Sequence, residues 1–204
     1  MEKKFLISNL MTAILAQGVS LVLSFLTSFI VPRVLDVEMF SFWQLFTFYV
    51  TYVGFFHFGI NDGVYLKYGG IDIEDMDKEL VSGQFKCLFL IQVIIVAILG
   101  CVVFLVDIEL ERKFVLVFTL LYMIVFNLSN YLSYIFQAAN LTKIYSYSVI
   151  IDKIFFMLAV IILVLSGNEL FQQYVLFYLG GKIASFIYCI YKGKTVIFCK
   201  IKDR

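Results

Sequence analysis

Charged side chains lie inside strongly apolar stretches of this sequence, and they are the residues most able to do chemistry. Lys182 lies in FYLGGKIASFIYCIYK, residues 177–192, and the adjacent Asp152 and Lys153 lie in another apolar run at 145–166. The chain is 62% hydrophobic, well above the roughly 45–50% of a soluble domain, and its mean hydropathy is +0.97. We therefore expect an integral membrane protein, in which a charge at the bilayer centre costs at least ~2.5–3.5 kcal/mol and needs a partner or a hydrated cavity.

The sequence lacks the residue sets on which the common enzyme classes depend. His57 is the one histidine, and no cysteine or carboxylate stands at metal-ligand spacing from it, so we expect it to be packed and hydrogen-bonded. The cysteines form no CxxC pair and are expected to be packing residues: Cys87, Cys101, Cys189 and Cys199. There is also no Gly-rich phosphate loop and no Ser/His/Asp set. We predict no catalysis, no cofactor and no metal.

Hydropathy predicts an all-α, polytopic fold that consists of one bundle of six transmembrane helices. Each apolar run is close to the ~20 residues that a spanning helix needs. The predicted spans are 10–31, 42–64, 86–106, 115–137, 145–166 and 171–191. The first run is too long for a signal-peptide core and is expected to be a retained span.

The distribution of basic residues predicts that both termini are cytoplasmic, because short cytoplasmic loops carry an excess of Lys and Arg. Eleven basic residues then lie on the inner side: Lys3, Lys4, Lys67, Lys78, Lys86, Lys143, Lys192, Lys194, Lys200, Lys202 and Arg204. Three lie on the outer side: Arg33, Arg112 and Lys113. The predicted location is the cytoplasmic (inner) membrane.

An acidic loop at 67–84 separates the second and third predicted spans. Its sequence includes GIDIEDMDKELVSGQF, in which Ile73, Met76 and Leu80 recur at helical spacing. This pattern predicts a short amphipathic helix on the inner membrane face with its acids in water. A site for a partner or a cation is the alternative.

Lys182 is predicted to pair with Asp152. In antiparallel spans that begin at 145 and end at 191, Asp152 lies roughly 10 Å and Lys182 roughly 14 Å from the inner end, at 1.5 Å per residue. Gly180, Gly181 and Ser185 would let the two helices approach closely. Lys153 points about 100° away from its neighbour and is expected to extend toward the inner headgroups. A cargo-binding Lys182 in a hydrated cavity remains the alternative.

Polar or small residues follow one face of three predicted spans at steps of three or four residues. The first span carries Asn9, Thr12, Ala16, Ser20, Ser24 and Thr27, the fourth carries Asn127, Asn130, Tyr134 and Gln137, and the second carries Gln44, Thr47, Thr51 and Gly54. Such faces either pack tightly against other helices or line a cavity. Both interpretations stay open for the first span, whereas the bulky amides of the fourth favour a polar central pathway.

Two stretches carry a family resemblance. Residues 30–70, IVPRVLDVEMFSFWQLFTFYVTYVGFFHFGINDGVYLKYGG, and residues 137–153, QAANLTKIYSYSVIIDK, resemble bacterial oligosaccharide or polysaccharide-repeat-unit flippases. These belong to the multidrug/oligosaccharidyl-lipid/polysaccharide exporter superfamily. The resemblance covers most of the chain and implies the N-terminal half of a transporter built from two six-helix bundles, which would be parallel repeats.

The resemblance implies a cargo and roles for individual residues. The cargo would be a polyprenyl-pyrophosphate-linked oligosaccharide moved across the cytoplasmic membrane, with a second six-helix half or a homodimer as partner and no nucleic acid. Arg33 and Lys182 would attract pyrophosphate or acidic sugars. Hydrogen bonds to sugar hydroxyls would come from Asn127, Asn130 and Gln137. Asp62 and Asp152 would tune protonation or bind a coupling cation.

Alternatives stay open at the level of sequence, two for the whole chain and two for single residues. The chain could be a truncated, inactive or accessory membrane protein without cargo of its own. It could also be a multidrug cation efflux half-transporter, although Lys153 directly follows the buried carboxylate that such a protein needs. For single residues, Arg33 could instead be a headgroup anchor, and Asp62 could cap the turn at the inner end of the second span.

Overall fold

The computed structural model describes residues 2–198, with side chains from Asn9 onward, and this part of the chain is helical without a strand. The α-helices are α1 (Glu2–Val34), α2 (Val37–Val50), α3 (Ile60–Tyr68), α4 (Lys78–Leu105), α5 (Leu110–Ala138), α6 (Thr142–Leu165) and α7 (Phe171–Ile197). A short 3₁₀ helix, Val53–His57, precedes α3. The predicted inner-side residues Lys3, Lys4, Lys200, Lys202 and Arg204, as well as Cys199, lie outside the described side chains.

Five of the described helices are long and apolar enough to cross a membrane. They are Asn9–Val34 within α1, and α4, α5, α6 and α7 at their full lengths. These helices contain or overlap the predicted spans 10–31, 86–106, 115–137, 145–166 and 171–191. The chain is therefore a multi-pass membrane protein by the length and apolarity of its helices.

The predicted second span, 42–64, is not one continuous helix. α2 ends at Val50, the 3₁₀ helix follows, and Phe58 and Gly59 then adopt left-handed backbone conformations, with φ of 49° and 76°. Glycine adopts this region without steric cost, whereas a phenylalanine does so rarely. A hydropathy window averages over such an interruption, because the intervening residues are as apolar as their helical neighbours.

The predicted amphipathic helix in the acidic loop is wrong. Residues 71–77 form turns, and α4 begins at Lys78, because Asp77 caps it: its Oδ1 accepts the Leu80 N–H at 3.0 Å. Met76, which the helical pattern used as an anchor, is buried without a helix around it. The helical spacing at 78–84 belongs instead to the first turns of α4.

The interrupted segment from α2 to α3 runs parallel to α5 along most of its length. Phe46 packs on Tyr122 near the middle of α5, with 6.3 Å between ring centroids. Tyr65 packs on Tyr134 close to the end of α5, at 5.8 Å. Beyond α3, the Gly70 N–H donates to the carbonyl of Ala138 at 2.9 Å. α5 is consequently enclosed by its neighbours and carries many of the buried residues of the bundle.

α1 lies at the edge of the bundle and packs mainly on α6. Most of its large apolar side chains are exposed, among them Leu21, Phe25 and Phe29. In a membrane protein this surface faces lipid or another transmembrane segment, since lipid tails are as apolar as leucine. The weak contact between α1 and α2 leaves a gap, and the candidate site lies there.

Candidate binding cavity

A cavity of about 260 Å³ lies between α1, α2, α6 and α7. Its lining combines one lysine with hydroxyls, an amide and aromatic rings. The lining residues are Leu23, Ser24, Thr27, Ser28, Pro32, Phe40, Trp43, Gln44, Thr47, Lys153, Phe156 and Tyr178. Ser24, Ser28 and Gln44 are exposed, so the cavity opens to the surface of the bundle between α1 and α2.

Lys153 supplies the charge of this cavity. Its Nζ lies 5.9 Å from the centroid of the Tyr178 ring, a cation–π distance. The ion pairs found in the described part of the chain do not include Lys153. The expectation that it extends toward the inner headgroups stays a prediction. The ammonium lies at a cavity wall, where it can attract an anion.

Hydroxyl and amide groups supply the neutral polar lining. The hydroxyls of Thr27, Ser28 and Thr47 donate to carbonyls of their own helices at 2.7–2.9 Å. Each hydroxyl oxygen keeps acceptor capacity after that donation. Gln44 adds an exposed amide, which both donates and accepts. Together these groups match ligands that are rich in hydroxyls.

The aromatic wall of the cavity is built by stacking and edge contacts. Trp43 stacks on Phe156, with 5.7 Å between centroids and 16° between planes. Tyr178 meets both rings edge-on, at 5.9 Å from Trp43 and 5.0 Å from Phe156. Aromatic pairs of this geometry add ~0.5–1.5 kcal/mol each to ordinary burial, so this wall is rigid.

Lys182 and Asp152 do not line the cavity and instead form an interhelical ion pair, as the depth argument predicted. The Lys182 Nζ lies 4.0 Å from Asp152 Oδ2, and the side chains are 11% and 21% exposed. The same ammonium stands 4.9 Å from the centroid of Phe126 on α5. The close approach is made at Gly181, where a Cβ would lie only 2.8 Å from the backbone oxygen of Asp152.

The amides of the predicted pathway on α5 separate into different environments. Asn127 is fully buried, and its Nδ2 donates to the Val53 carbonyl and to Gln92 Oε1, both at 3.0 Å. Asn130 is half-buried, and Gln137 donates to the Ser133 carbonyl of its own helix at 3.2 Å. Asn127 thus lacks exposed surface, and none of the three lines the cavity.

Gln92 on α4 completes this buried amide cluster, and sequence reasoning did not single it out. Its Nε2 donates to the Phe56 carbonyl at 2.7 Å, while Asn61 Nδ2 donates to the Asn127 carbonyl at 3.2 Å. The carbonyls of Val53 and Phe56 belong to the 3₁₀ helix, where regular α-helical bonding is interrupted. The only signal in the sequence is one glutamine within the apolar run 86–106.

The remaining predicted site residues lie at the surface. Arg33 is exposed in the last turn of α1. Asp62 is exposed in the first turn of α3, where a carboxylate suits the helix dipole, and its Oδ2 lies 3.8 Å from His57 Nε2. No side-chain cap is formed by Asp62, because the N-cap of α3 is Gly59.

The polar face of α1 has different surroundings in its two halves. Tight packing against other helices applies to one half, and cavity lining applies to the other. At the start, Asn9 is buried and its Nδ2 donates to the Asn140 carbonyl at 3.1 Å, and Ala16 is buried as well. At the end, Ser24 and Thr27 line the cavity. The first half therefore packs, and the second half faces the cavity.

Comparison of the chain with models of known protein families, with curated proteins and with solved structures finds no match.

Proposed function

We propose that the chain is the N-terminal bundle of a flippase that translocates a polyprenyl-pyrophosphate-linked oligosaccharide across the cytoplasmic membrane. The observation that carries the proposal is the cavity of about 260 Å³ with Lys153 at its wall. An ammonium, several hydroxyls, an amide and a rigid aromatic surface are the groups that bind an anionic, hydroxyl-rich ligand. The family resemblance of residues 30–70 and 137–153 supplies the lipid-linked form of that ligand.

The charge of the cavity favours this cargo over a cationic drug. Among the residues that the structure describes, the cavity lining includes a lysine and no carboxylate. Bringing a cationic ligand next to an ammonium is unfavourable, and the effect grows as water is excluded. The nearest acidic residue in sequence, Asp152, is already paired with Lys182. Multidrug cation efflux therefore has less support than transport of an acidic glycan.

Lys153 gives the direct test. In a strain that lacks its repeat-unit flippase, the protein in its full-length context should restore surface polysaccharide, and Lys153→Met should restore much less at equal abundance. Lys153→Arg should retain most activity, since it keeps the charge. Lys194→Met is the matched control, because Lys194 is exposed near the end of α7 and far along the chain from the cavity lining. Full restoration by Lys153→Met would contradict the proposal.

The proposal includes six membrane crossings with both termini inside. The second crossing would be the interrupted segment α2–3₁₀–α3, which runs along most of α5 and is held by side-chain amides where backbone bonding is broken. A membrane-impermeant thiol reagent added outside should label a cysteine at Glu109 and should not label one at Asp75. Labelling at Asp75 from outside would reverse the proposed orientation.

A second bundle is also part of the proposal. The residues that the structure describes line the cavity from four helices and leave it open between α1 and α2. A second six-helix bundle, or a second copy related by a two-fold axis, would close it. We expect the 204 residues alone to be inactive as a monomer. Complementation by a preparation shown to be monomeric would contradict this requirement.

A further inference from the structure

The turn between the 3₁₀ helix and α3 is held by the single histidine. The Gly59 N–H donates to His57 Nδ1 at 3.1 Å. This bond closes around Phe58, the first of the two left-handed residues, and ends at the N–H of the second, Gly59. It is a local side-chain bond that stabilises a backbone conformation which phenylalanine seldom adopts.

The hydrogen bond from Gly59 specifies which nitrogen of the neutral imidazole carries the proton. A ring nitrogen that accepts a hydrogen bond carries no proton, so in neutral His57 the proton is on Nε2. That nitrogen lies 3.8 Å from Oδ2 of Asp62, whose side chain is 58% exposed. A carboxylate thus stands beside the nitrogen that is already protonated.

The helices packed against this turn present mainly neutral groups to it. α4 offers the amide of Gln92 and α5 that of Asn127, which hold the carbonyls of Phe56 and Val53. Tyr134 of α5 lies close enough to Asp62 to interact with it electrostatically. Amides do not titrate, so their bonds to the 3₁₀ helix persist when the pH changes.

We propose that His57 is a proton-binding site that controls the backbone of the interrupted segment. A proton taken from water binds the lone pair of Nδ1, and no other bond forms or breaks covalently. Both ring nitrogens are then donors, so Gly59 loses its acceptor. The imidazolium gains an ion pair with Asp62. Protonation therefore releases the Phe58–Gly59 turn. The hydrogen bonds that the side-chain amides of Gln92 and Asn127 donate to the 3₁₀ helix keep that helix in place.

This inference goes beyond the proposed function, since it requires no cargo and no translocation. It assigns a role to His57 and Asp62, a pair that belongs neither to the cavity lining nor to the Lys182–Asp152 ion pair. Histidine is the side chain whose charge ordinarily changes between pH 5 and 8.

Two measurements on the full chain in detergent or nanodiscs test it without a transport assay. Because the sequence has one histidine, ¹⁵N-histidine labelling should give one pair of ring signals, with Nε2 protonated at pH 8 and both nitrogens protonated at pH 5. Hydrogen–deuterium exchange at Gly59, corrected for the intrinsic pH dependence, should show at least tenfold lower protection at pH 5 than at pH 8.

Variants separate titration from simple packing. His57→Asn keeps an acceptor at the δ position and should protect Gly59 equally at both pH values, whereas His57→Leu should leave it unprotected at both. In Asp62→Asn, the Gly59 amide should lose its protection from exchange only at a lower pH than in the parent, because the imidazolium no longer has its carboxylate partner. The proposal is overturned if parental protection is equal at both pH values, if neutral His57 carries its proton on Nδ1, or if His57→Asn loses protection as the parent does.

Discussion

Removing either member of the Lys182–Asp152 pair should destabilise the bundle strongly. The pair joins α6 to α7 with 4.0 Å between Nζ and Oδ2, and the two side chains are only 11% and 21% exposed. Substituting Lys182→Met leaves a mostly buried carboxylate without its partner. Substituting Asp152→Asn leaves the ammonium with only the Phe126 ring, 4.9 Å from its centroid.

The magnitude follows from distance and burial. At a separation of 4.0 Å and an effective dielectric constant of about 20, two unit charges attract by about 4 kcal/mol. Breaking a buried pair by removal of one partner typically costs ~3–5 kcal/mol, since the other charge is left uncompensated. We therefore expect each single variant to lose about 3–5 kcal/mol. The charge-swapped double variant, and the neutral double variant Lys182→Met with Asp152→Asn, should each recover part of that loss.

Thermal unfolding in detergent, followed by a double-mutant cycle, measures the interaction between these two residues. Lys194→Met is the control, because Lys194 is exposed near the end of α7 and belongs to none of the ion pairs in the described residues. Its stability should stay close to that of the parent. Single variants that accumulate and melt like the parent, or purely additive effects, would refute the assignment of a structural pair.

Two further substitutions probe the contacts between helices. Gly181→Ala should destabilise the protein by ~1–3 kcal/mol in thermal melts, because the new Cβ would lie 2.8 Å from a backbone oxygen on α6. The control Gly100→Ala should be neutral or stabilising, since its Cβ meets nothing within 4 Å. Equal effects of the two substitutions would contradict this geometry. Gln92→Leu should lower the free energy of unfolding by ~1–3 kcal/mol, since it removes the donor to the buried Phe56 carbonyl. Gln137→Leu is the control, because the Gln137 amide donates within its own helix. A similar destabilisation by both substitutions would show that the contact to the 3₁₀ helix is not the cause.

Features that depend on position along a helix axis could be predicted from the sequence. Lys182 and Asp152 lie at matching depths in two helices joined by a short turn, and the rise of 1.5 Å per residue is enough to bring them together. Five long apolar helices follow from hydropathy for the same reason. Neither inference requires knowledge of how each helix is rotated about its own axis.

Features that depend on helix rotation or on distant contacts could not be predicted. Lys153 lies on the cavity side of α6 because of how that helix packs on α1 and α7, and its sequence position fits a headgroup anchor equally well. Asn127 is buried and hydrogen-bonded because it meets Val53 and Gln92, which lie 74 and 35 residues away in the sequence. Those partners also explain why the predicted second span is interrupted, since they satisfy carbonyls that an unbroken helix would have satisfied itself.

The charges around Asp152 explain why the cavity is positive. Two ammonium groups, Lys153 and Lys182, lie near one carboxylate, and Lys182 holds that carboxylate from the opposite helix at 4.0 Å. Lys153 belongs to none of the ion pairs found in the described residues and lies at the cavity wall beside the Tyr178 ring, although Asp152 still interacts with it electrostatically. The ion pair and the cavity are therefore linked, because Lys182 offsets the negative charge of Asp152, which also acts on Lys153; without Lys182 the cavity would attract anions less strongly. Lys182→Met should accordingly weaken transport of an acidic cargo even where the protein remains folded, whereas Lys182→Arg, which keeps the carboxylate occupied, should preserve it.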